Sequence, residues 1–377
     1  MLEDGVVFMK MRITPIERKR LKLDPELTYL NRNMLVGQHH EVIYEDMLSY
    51  VENHGLTQYP DMEYLYEKLG RYLAIGHEGA DGSYSMENLL ITYGVEGAFK
   101  AVFETYDLNG ESIGVLTPTC AMMHVYAKAF GANVIEITGS APDYEINIDD
   151  IMAIIPEVKV LFLDNPKSHL ENHFNCDDIF DIIDEAENNG VLVFLDEIYA
   201  GYGTEGFLKE GSFDITRFSN LIVSSSFSKS HMLPSLKFGW LLTSKKIMSE
   251  LETTRYTYES SYPTCSMVEY ICDNPEYFEW FRGSVIEKRD DFLRRMVVKE
   301  HSDISSHAKS FEPFGGHVYS IRLYSEDKEH VSRIKQNFLD NKIVVGVHED
   351  TNLYFTVPID DSIEISVYKS LELGGKL

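Results

Sequence analysis

The sequence is poor in cysteine, poor in positive charge and without a long apolar run, and each shortage narrows what it can be. Its 377 residues include four cysteines, Cys120, Cys176, Cys265 and Cys272. None forms a Cys-x-x-Cys pair or stands with histidines at ligand spacing, which argues against a zinc site and for a large reduced protein. Lys and Arg number 34 against 61 Asp and Glu, a formal charge of −27. So acidic a chain is a poor partner for nucleic acid or an anionic membrane, and an anionic ligand would need a local positive site. No run nears the roughly 18–20 apolar residues of a spanning helix. Residues 1–30 are charged and lack a signal-type apolar core, so the expected location is the cytoplasm. What the chain does have is 44% hydrophobic and 12% aromatic residues, with length for a large and a small domain.

Arg18, Lys19, Arg20 and Lys22 form a basic cluster in an N-terminal arm that Pro15 and Pro25 interrupt. Val42, Ile43, Met47, Leu48 and Val51 recur at helical spacing. Tyr59-Pro60-Asp61 reads as a turn, and a helix is predicted over about 62–77. From residue 88 short apolar strands alternate with helices, with strands at 88–93, 112–117, 133–137, 158–163, 191–195 and 220–224. This alternation predicts an α/β fold with a three-layer, doubly wound, mostly parallel sheet. In such sheets ligands bind beyond the carboxyl ends of the strands. Gly94, Asn165, Asp196, Tyr199, Ser226 and Lys229 all stand just after apolar strands. After about residue 275 the pattern becomes that of a smaller α+β domain, with a long helix over 276–300, a strand entered through Gly315-Gly316 and a final helix near 361–373. The expected division is an arm and part of the small domain at 1–45, a large domain at 46–275 and a small C-terminal domain at 276–377.

The most informative stretch runs from Ser224-Ser225-Ser226-Phe227-Ser228-Lys229 to Leu233-Pro234-Ser235-Leu236-Lys237-Phe238-Gly239-Trp240. One lysine sits among hydroxyls at a strand end, and a second follows eight residues later before a new apolar run. A lysine so placed can act as an amine nucleophile toward a carbonyl. Asp196-Glu197-Ile198-Tyr199 closes another strand, and because strand side chains alternate, only one of the two acids faces a given side.

Taken together, this set resembles the class I/II (fold type I) pyridoxal-phosphate aminotransferases, in their histidinol-phosphate aminotransferase-like branch, from about Leu30 onward. The resemblance implies roles. Lys229 matches the lysine bonded to pyridoxal 5'-phosphate, and Asp196 the carboxylate beside the ring nitrogen. Tyr199 and Asn165 match the pair at the ring's phenolic oxygen. Ser226, Lys237 and the amides of Val95 and Glu96 after Gly94 would hold the phosphate, with the Glu96 side chain expected to face away. Lys237 stands where the family usually has arginine. Tyr59 matches a tyrosine that reaches the phosphate from a partner subunit, which implies a homodimer with shared active sites. No metal is implied.

The chain departs from the family in three places. Cys120 occupies the position of the ring-stacking aromatic, with His124 or a methionine as the alternative. Tyr354 occupies that of the arginine that grips the substrate's α-carboxylate. Pro166-Lys167-Ser168-His169-Leu170-Glu171-Asn172 lacks the family's glycine turn. A neutral hydroxyl cannot replace a bidentate guanidinium. The expected activity is therefore an aminotransferase acting on an amine or atypical amino acid, together with an amino acceptor. Alternatively the substrate anchors on another cation, with Arg32, Arg322 and His124 as candidates. The competing readings are a decarboxylase, lyase or oxidase on the same scaffold, and a non-catalytic dimeric relative.

Overall fold

The computed structural model describes residues 24–32, 34, 41–52, 56–140, 142, 144–167, 173–299, 311–314 and 318–371. The basic cluster of residues 18–22, the 168–172 stretch and the 315–317 glycine turn lie outside the described residues.

The described chain begins with β1 (Thr28–Tyr29), α1 (Glu41–Glu52) and α2 (Met62–Leu73). Asp61 caps α2 by accepting the Tyr64 N–H at 3.0 Å, an N-terminal signal legible in the sequence. The central layer follows as β2 (Leu89–Thr92), β3 (Ser112–Thr117), β4 (Asn133–Thr138), β5 (Val160–Asp164), β6 (Leu192–Asp196), β7 (Leu221–Ser226) and β8 (Gly239–Thr243). Their order across the sheet is β2-β8-β7-β6-β5-β3-β4. The pairs from β4 through to β7 are all parallel, while β8 runs antiparallel to both β7 and β2. Helices cover both faces, among them α3 (Gly94–Thr105), α4 (Ala121–Phe130), α5 (Ile148–Ile154) and α6 (Cys176–Asn188). Because both faces are covered, β5 to β7 are unbroken apolar runs rather than alternating ones. Val160, Leu161, Phe162, Val193, Phe194, Leu195, Leu221 and Ile222 are all buried. The α6 stripe Ile179, Ile182, Ile183 and Ala186 shares one core with Leu161, Val193, Leu195 and Leu221, on one face of the sheet.

A second, antiparallel sheet joins β9 (Glu312–Phe314), β10 (Ser320–Tyr324), β12 (Gly346–His348) and β13 (Asn352–Thr356), in the order β12-β13-β10-β9. The intervening β11 (Ile343–Val344) pairs in parallel with β1, so the N-terminal segment is stitched to this part of the molecule. The helix Pro275–Lys299 contributes Phe281, Val285 and Phe292 to the core under this sheet. Tyr199, Tyr202 and Met232, from loops at the strand ends of the larger sheet, are buried in the same core. That shared packing sets the second sheet over the carboxyl ends of the first. Among the described residues no helix is long and apolar enough to cross a membrane, and no cluster of His, Cys, Asp and Glu could hold a metal ion.

Candidate active site

A cavity of about 550 Å³ opens where the two sheets meet, lined from the strand ends of β5, β6 and β7 and by the start of α3. Ser226 and Gly239 are register partners on β7 and β8. Everything from Phe227 to Phe238 is therefore one excursion above the sheet, and it carries both Lys229 and Lys237. A short helix, Phe227–Ser230, opens it, capped by the buried Ser226 hydroxyl, which accepts the Ser228 N–H at 3.2 Å. Tyr202 pins this helix by donating its hydroxyl to the Lys229 carbonyl at 2.9 Å. Lys229 lines the cavity. Burial lowers its pKa to about 8; the Cys120 sulfur opposes that shift and the Lys237 charge adds to it.

Asp196, the last residue of β6, faces the same cavity. Burial holds its carboxyl well above the ordinary range, against a 2.9 Å hydrogen bond from the Ile198 N–H, and the neighbouring Asp164 and Glu197 push in the same direction as burial. Strand alternation turns Glu197 to the other side, where it accepts the Phe207 N–H and burial raises it to about 8. Tyr199 is buried at the cavity wall with its ring 5.9 Å from that of Tyr319.

At the far edge, α3 begins at Gly94 with φ +66°, and Tyr93 before it gives no side-chain cap. A Cβ on Gly239 would lie 2.8 Å from the Gly94 Cα, so the two glycines let the start of α3 sit directly on β8. The first amides of the helix, at Gly94, Val95 and Glu96, have no partner within the helix and border the cavity, an arrangement that could hold an anion. The expectation for the Glu96 side chain needs correction. It does not turn away: its carboxylate lies 3.8 Å from the Lys237 ammonium and accepts the Tyr126 hydroxyl at 3.1 Å. The helix start orients that side chain toward the one lysine the sequence assigns to an anion. Lys237 also lies over the Tyr93 ring at 5.4 Å.

Cys120, at the N-terminal end of α4, lines the cavity with Thr119 and Ala121. The alternatives to it lie elsewhere, with His124 paired to Glu136 at 2.8 Å and Met123 in the core behind the sheet. Tyr354 on β13 lines the opposite wall and its register partner is Gly346. A Cβ at Gly346 would fall 2.0 Å from the Tyr354 ring, so the glycine is what makes room for a large side chain there. Of the candidate anchoring cations, Arg32 lines the cavity and stacks 5.3 Å from the Tyr29 ring. Arg322 is wholly buried elsewhere, bonded to the Pro142 carbonyl and, at 2.9 Å, to Asn352.

Two of the sequence-derived site residues lie apart from this cavity lining. Asn165 is buried, but its amide donates to the Phe174 carbonyl at 3.0 Å and accepts the Phe174 N–H at 2.9 Å. It acts as a clamp on the return of the chain from β5. Asn165→Ala strands both backbone groups and is expected to cost about 2–4 kcal/mol in urea denaturation. It should leave the visible absorbance of a bound chromophore in place. A shifted band in a stable variant would instead assign the amide to the ligand. Tyr59 is 76% exposed and stacks on Tyr258 with centroids 4.3 Å apart, on the outer surface. Sequence reasoning passed over three residues of the site. Asp164 is a second acid lining the floor, Lys167 is fully buried beneath it, and Tyr202 holds the Lys229 helix. Asp164 and Lys167 flank the Asn-Pro dipeptide already singled out, so an acid and a lysine three apart was the available signal.

A family model described as aminotransferase class I and II matches residues 27–333. The histidinol-phosphate aminotransferase of Rippkaea orientalis is 23% identical over 245 residues, 65% of this chain and 67% of that protein. That of Crocosphaera subtropica is 26% identical over 178 residues, 46% of this chain, and the match spans only about half (47%) of that protein's length. The crystal structure of histidinol-phosphate aminotransferase from Sinorhizobium meliloti in complex with pyridoxal-5'-phosphate superposes with a TM-score of 0.74 at 13% identity, covering 92% of this chain and 91% of that one. At that identity the likeness is one of fold.

Proposed function

The chain belongs to the class I and II aminotransferases, enzymes that work with pyridoxal phosphate, and from that premise we propose that it transaminates an amine or an atypical amino acid through Lys229. The observation that carries this reading is the convergence of Lys229, Asp196 and Tyr199 on one cavity, with a phenol, Tyr354, in the wall opposite. The residues fit the cofactor. An uncapped helix start offers backbone donors for a phosphate, and a desolvated carboxyl and a desolvated lysine line the same cavity. When bound, pyridoxal phosphate supplies the aldehyde that captures the amine and the ring that draws off electrons from its carbon.

Each residue then has a task. Lys229, whose burial brings its pKa down to about 8 and so raises its share of neutral amine, would take a proton from the substrate carbon and hand it back on the cofactor side. Asp196 holds a proton at the ring nitrogen. Tyr199 donates to the phenolic oxygen. Ser226, Lys237 and the amides at Gly94, Val95 and Glu96 take the phosphate, with Glu96 tempering the charge of Lys237. Cys120 supplies a soft, small wall where an aromatic would otherwise stack. Arg32 is the cavity-lining cation left for an acidic substrate group.

A panel of amines, with and without α-carboxylates, tests the substrate class. The reading is the spectral change to pyridoxamine phosphate. Amines and amino alcohols are expected to react at least as fast as the matching α-amino acids. Tyr354→Arg, with Gly346 leaving it space, is expected to raise kcat/KM for α-amino acids by about 10- to 100-fold, the worth of a charge-assisted hydrogen-bond pair. Ordinary α-amino acids reacting best in the unaltered enzyme would sink the inference drawn from Tyr354. Release of carbon dioxide, loss of a substrate fragment or consumption of oxygen would instead mark decarboxylase, lyase or oxidase chemistry.

A homodimer with shared sites and a cytoplasmic location belong to the same proposal. The exposed tyrosines Tyr59, Tyr93, Tyr256 and Tyr258 support the first, because large aromatic surface of this kind commonly marks a protein interface. The four free cysteines support the second. Sedimentation equilibrium at twice the 43.2 kDa chain mass is the expected result for the dimer.

A further inference from the structure

The turn that carries Lys229 has two sides. Its front, with Ser226, Ser228 and Lys229, lines the cavity described above. Its back, with Ser230 and His231, lines a separate cavity of about 210 Å³ that has no lining residue in common with the first. His231 is buried there, with the rings of Phe227 and Phe278 at centroid distances of 4.5 and 4.8 Å. Both of its ring nitrogens are engaged. Nε2 lies 2.6 Å from the hydroxyl of Tyr72 on α2, and Nδ1 lies 2.7 Å from the hydroxyl of Ser230. Ser230 Oγ in turn donates to the Ser226 carbonyl at 2.9 Å.

These contacts allow one direction only. A serine hydroxyl has a single proton, and that of Ser230 goes to Ser226, so Ser230 can only accept from His231. Nδ1 therefore carries the imidazole proton, and Nε2 is left to accept the Tyr72 hydroxyl. The Tyr72 oxygen is itself hydrogen-bonded by the Arg282 side chain, a donor only, which leaves the phenolic proton to point at His231. The result is an ordered chain from Arg282 through Tyr72, His231 and Ser230 to the backbone of Ser226. Burial and the Arg282 charge both hold His231 well below the ordinary histidine range, in agreement with a neutral ring. Phenylalanine would fill the same slot between two aromatic rings but could neither accept from Tyr72 nor donate to Ser230.

We propose that His231 is a positioning residue for Lys229: as its Nδ1–H tautomer it fastens the back of the turn to α2, so that the amine keeps its place in the cavity once it is no longer bonded to the cofactor. The proposal rests on the reading of Lys229 as the cofactor lysine. While that bond stands, the cofactor itself holds the amine. Once the bond is broken, only the turn does. Tyr202 steadies the turn through the Lys229 carbonyl, and the His231 chain secures it from the opposite end at Ser226. Loss of the chain is therefore felt in the steps that a released lysine performs, not in cofactor uptake.

His231→Phe tests this, because it keeps a ring between Phe227 and Phe278 and removes both hydrogen bonds. In the pyridoxal-phosphate-loaded enzyme the visible band is expected to stay, KM to hold within about twofold and kcat to fall about 10- to 100-fold. The primary isotope effect with a substrate deuterated at the reacting carbon should rise, since proton transfer is the step that slows. Ser230→Ala cuts the same chain at its other end and should match, and the double variant should be no slower than His231→Phe, because the two residues act as one unit. Cofactor-free protein supplies a second readout. Nitrogen-15 NMR of the wild type should show the Nδ1–H tautomer for the imidazole signal that His231→Phe removes, and hydrogen exchange over Phe227–Met232 should quicken about tenfold in the variant, the worth of one hydrogen bond. A merely structural role would lower the melting temperature and leave kcat and the isotope effect alone; that result, or an Nε2–H tautomer, overturns the proposal. If His231→Phe does not fold, Ser230→Ala and the wild-type tautomer decide the matter. A wild-type protein that takes up no pyridoxal phosphate defeats the functional reading and this inference with it, whereas an unmoved kcat in loaded His231→Phe defeats only the inference.

Discussion

Lys229→Ala is expected to lose the visible absorption band and to transaminate at least about 10³-fold more slowly, within the range that positioned acid–base groups contribute. Burial brings Lys229 down to about 8. At pH 7 about one molecule in ten then carries a neutral amine, against about one in 2,500 at the ordinary lysine value. Desolvation thus supplies a nucleophile and a base near neutral pH. The sign also fixes a pH dependence. In protein stripped of cofactor the lysine is charged and inert below about pH 8 and neutral above it, so the rate of pyridoxal-phosphate capture should climb as pH rises to about 8 and then level off. Stopped-flow absorbance checks this directly. A capture rate still climbing tenfold per unit beyond pH 9 would mean that Lys229 is not held neutral. Lys237→Ala offers a comparison, since it removes a cation that also pushes Lys229 down but leaves the amine itself in place. It should weaken cofactor binding while keeping the band.

Asp196→Ala is the second large effect, an expected fall of about 10³-fold in kcat with the band retained but shifted. Asp196 is half-buried at the end of β6, with the Ile198 N–H on one oxygen and Asp164 and Glu197 nearby. Desolvation shifts such a carboxyl toward its protonated form, which favours sharing a proton with a basic partner. The ring nitrogen of the proposed cofactor would be such a partner, and the pair would keep the ring electron-poor. Asp196→Asn should lose nearly as much rate as Asp196→Ala, because the amide preserves shape but cannot hold the proton. Glu197→Gln is the control. Glu197 is raised to about 8 and is thus largely protonated at pH 7, on the other side of the strand. Its replacement should affect stability, through the bond from the Phe207 N–H, and leave kcat within about twofold. Equal losses from both substitutions would refute the assignment of Asp196 as the facing acid.

Much of the fold was legible because parallel sheets demand it. Strands covered on both faces must be continuous apolar runs, so β3, β5, β6 and β7 were recognisable from composition and length. The helix Tyr262–Asp273 was not recognised. Its Ser261 cap and Pro263 are start signals, but Tyr, Thr, Ser and Cys blur the periodicity that follows, and its buried face is decided by packing against α1 and α2. The direction of β8 was also beyond the sequence. Trp240-Leu241-Leu242 reads the same in either sense, and only the return of the chain from Phe227 to Phe238 makes it antiparallel.

Which residues end the strands is written in the chain: Lys229, Asp196, Tyr199 and Ser226 stand at or just after points where apolar runs stop at polar residues. Tertiary structure decided what those ends face. The acid of Glu96 turns to Lys237, the Asn165 amide turns to the Phe174 backbone, and Asp164 comes to lie beside Asp196 over a buried Lys167. Position along a strand is a local property set by one residue's neighbours in the chain. The direction of a side chain and the charge it carries depend on which strands lie alongside and how far water is excluded, and those are fixed only when the whole sheet has formed.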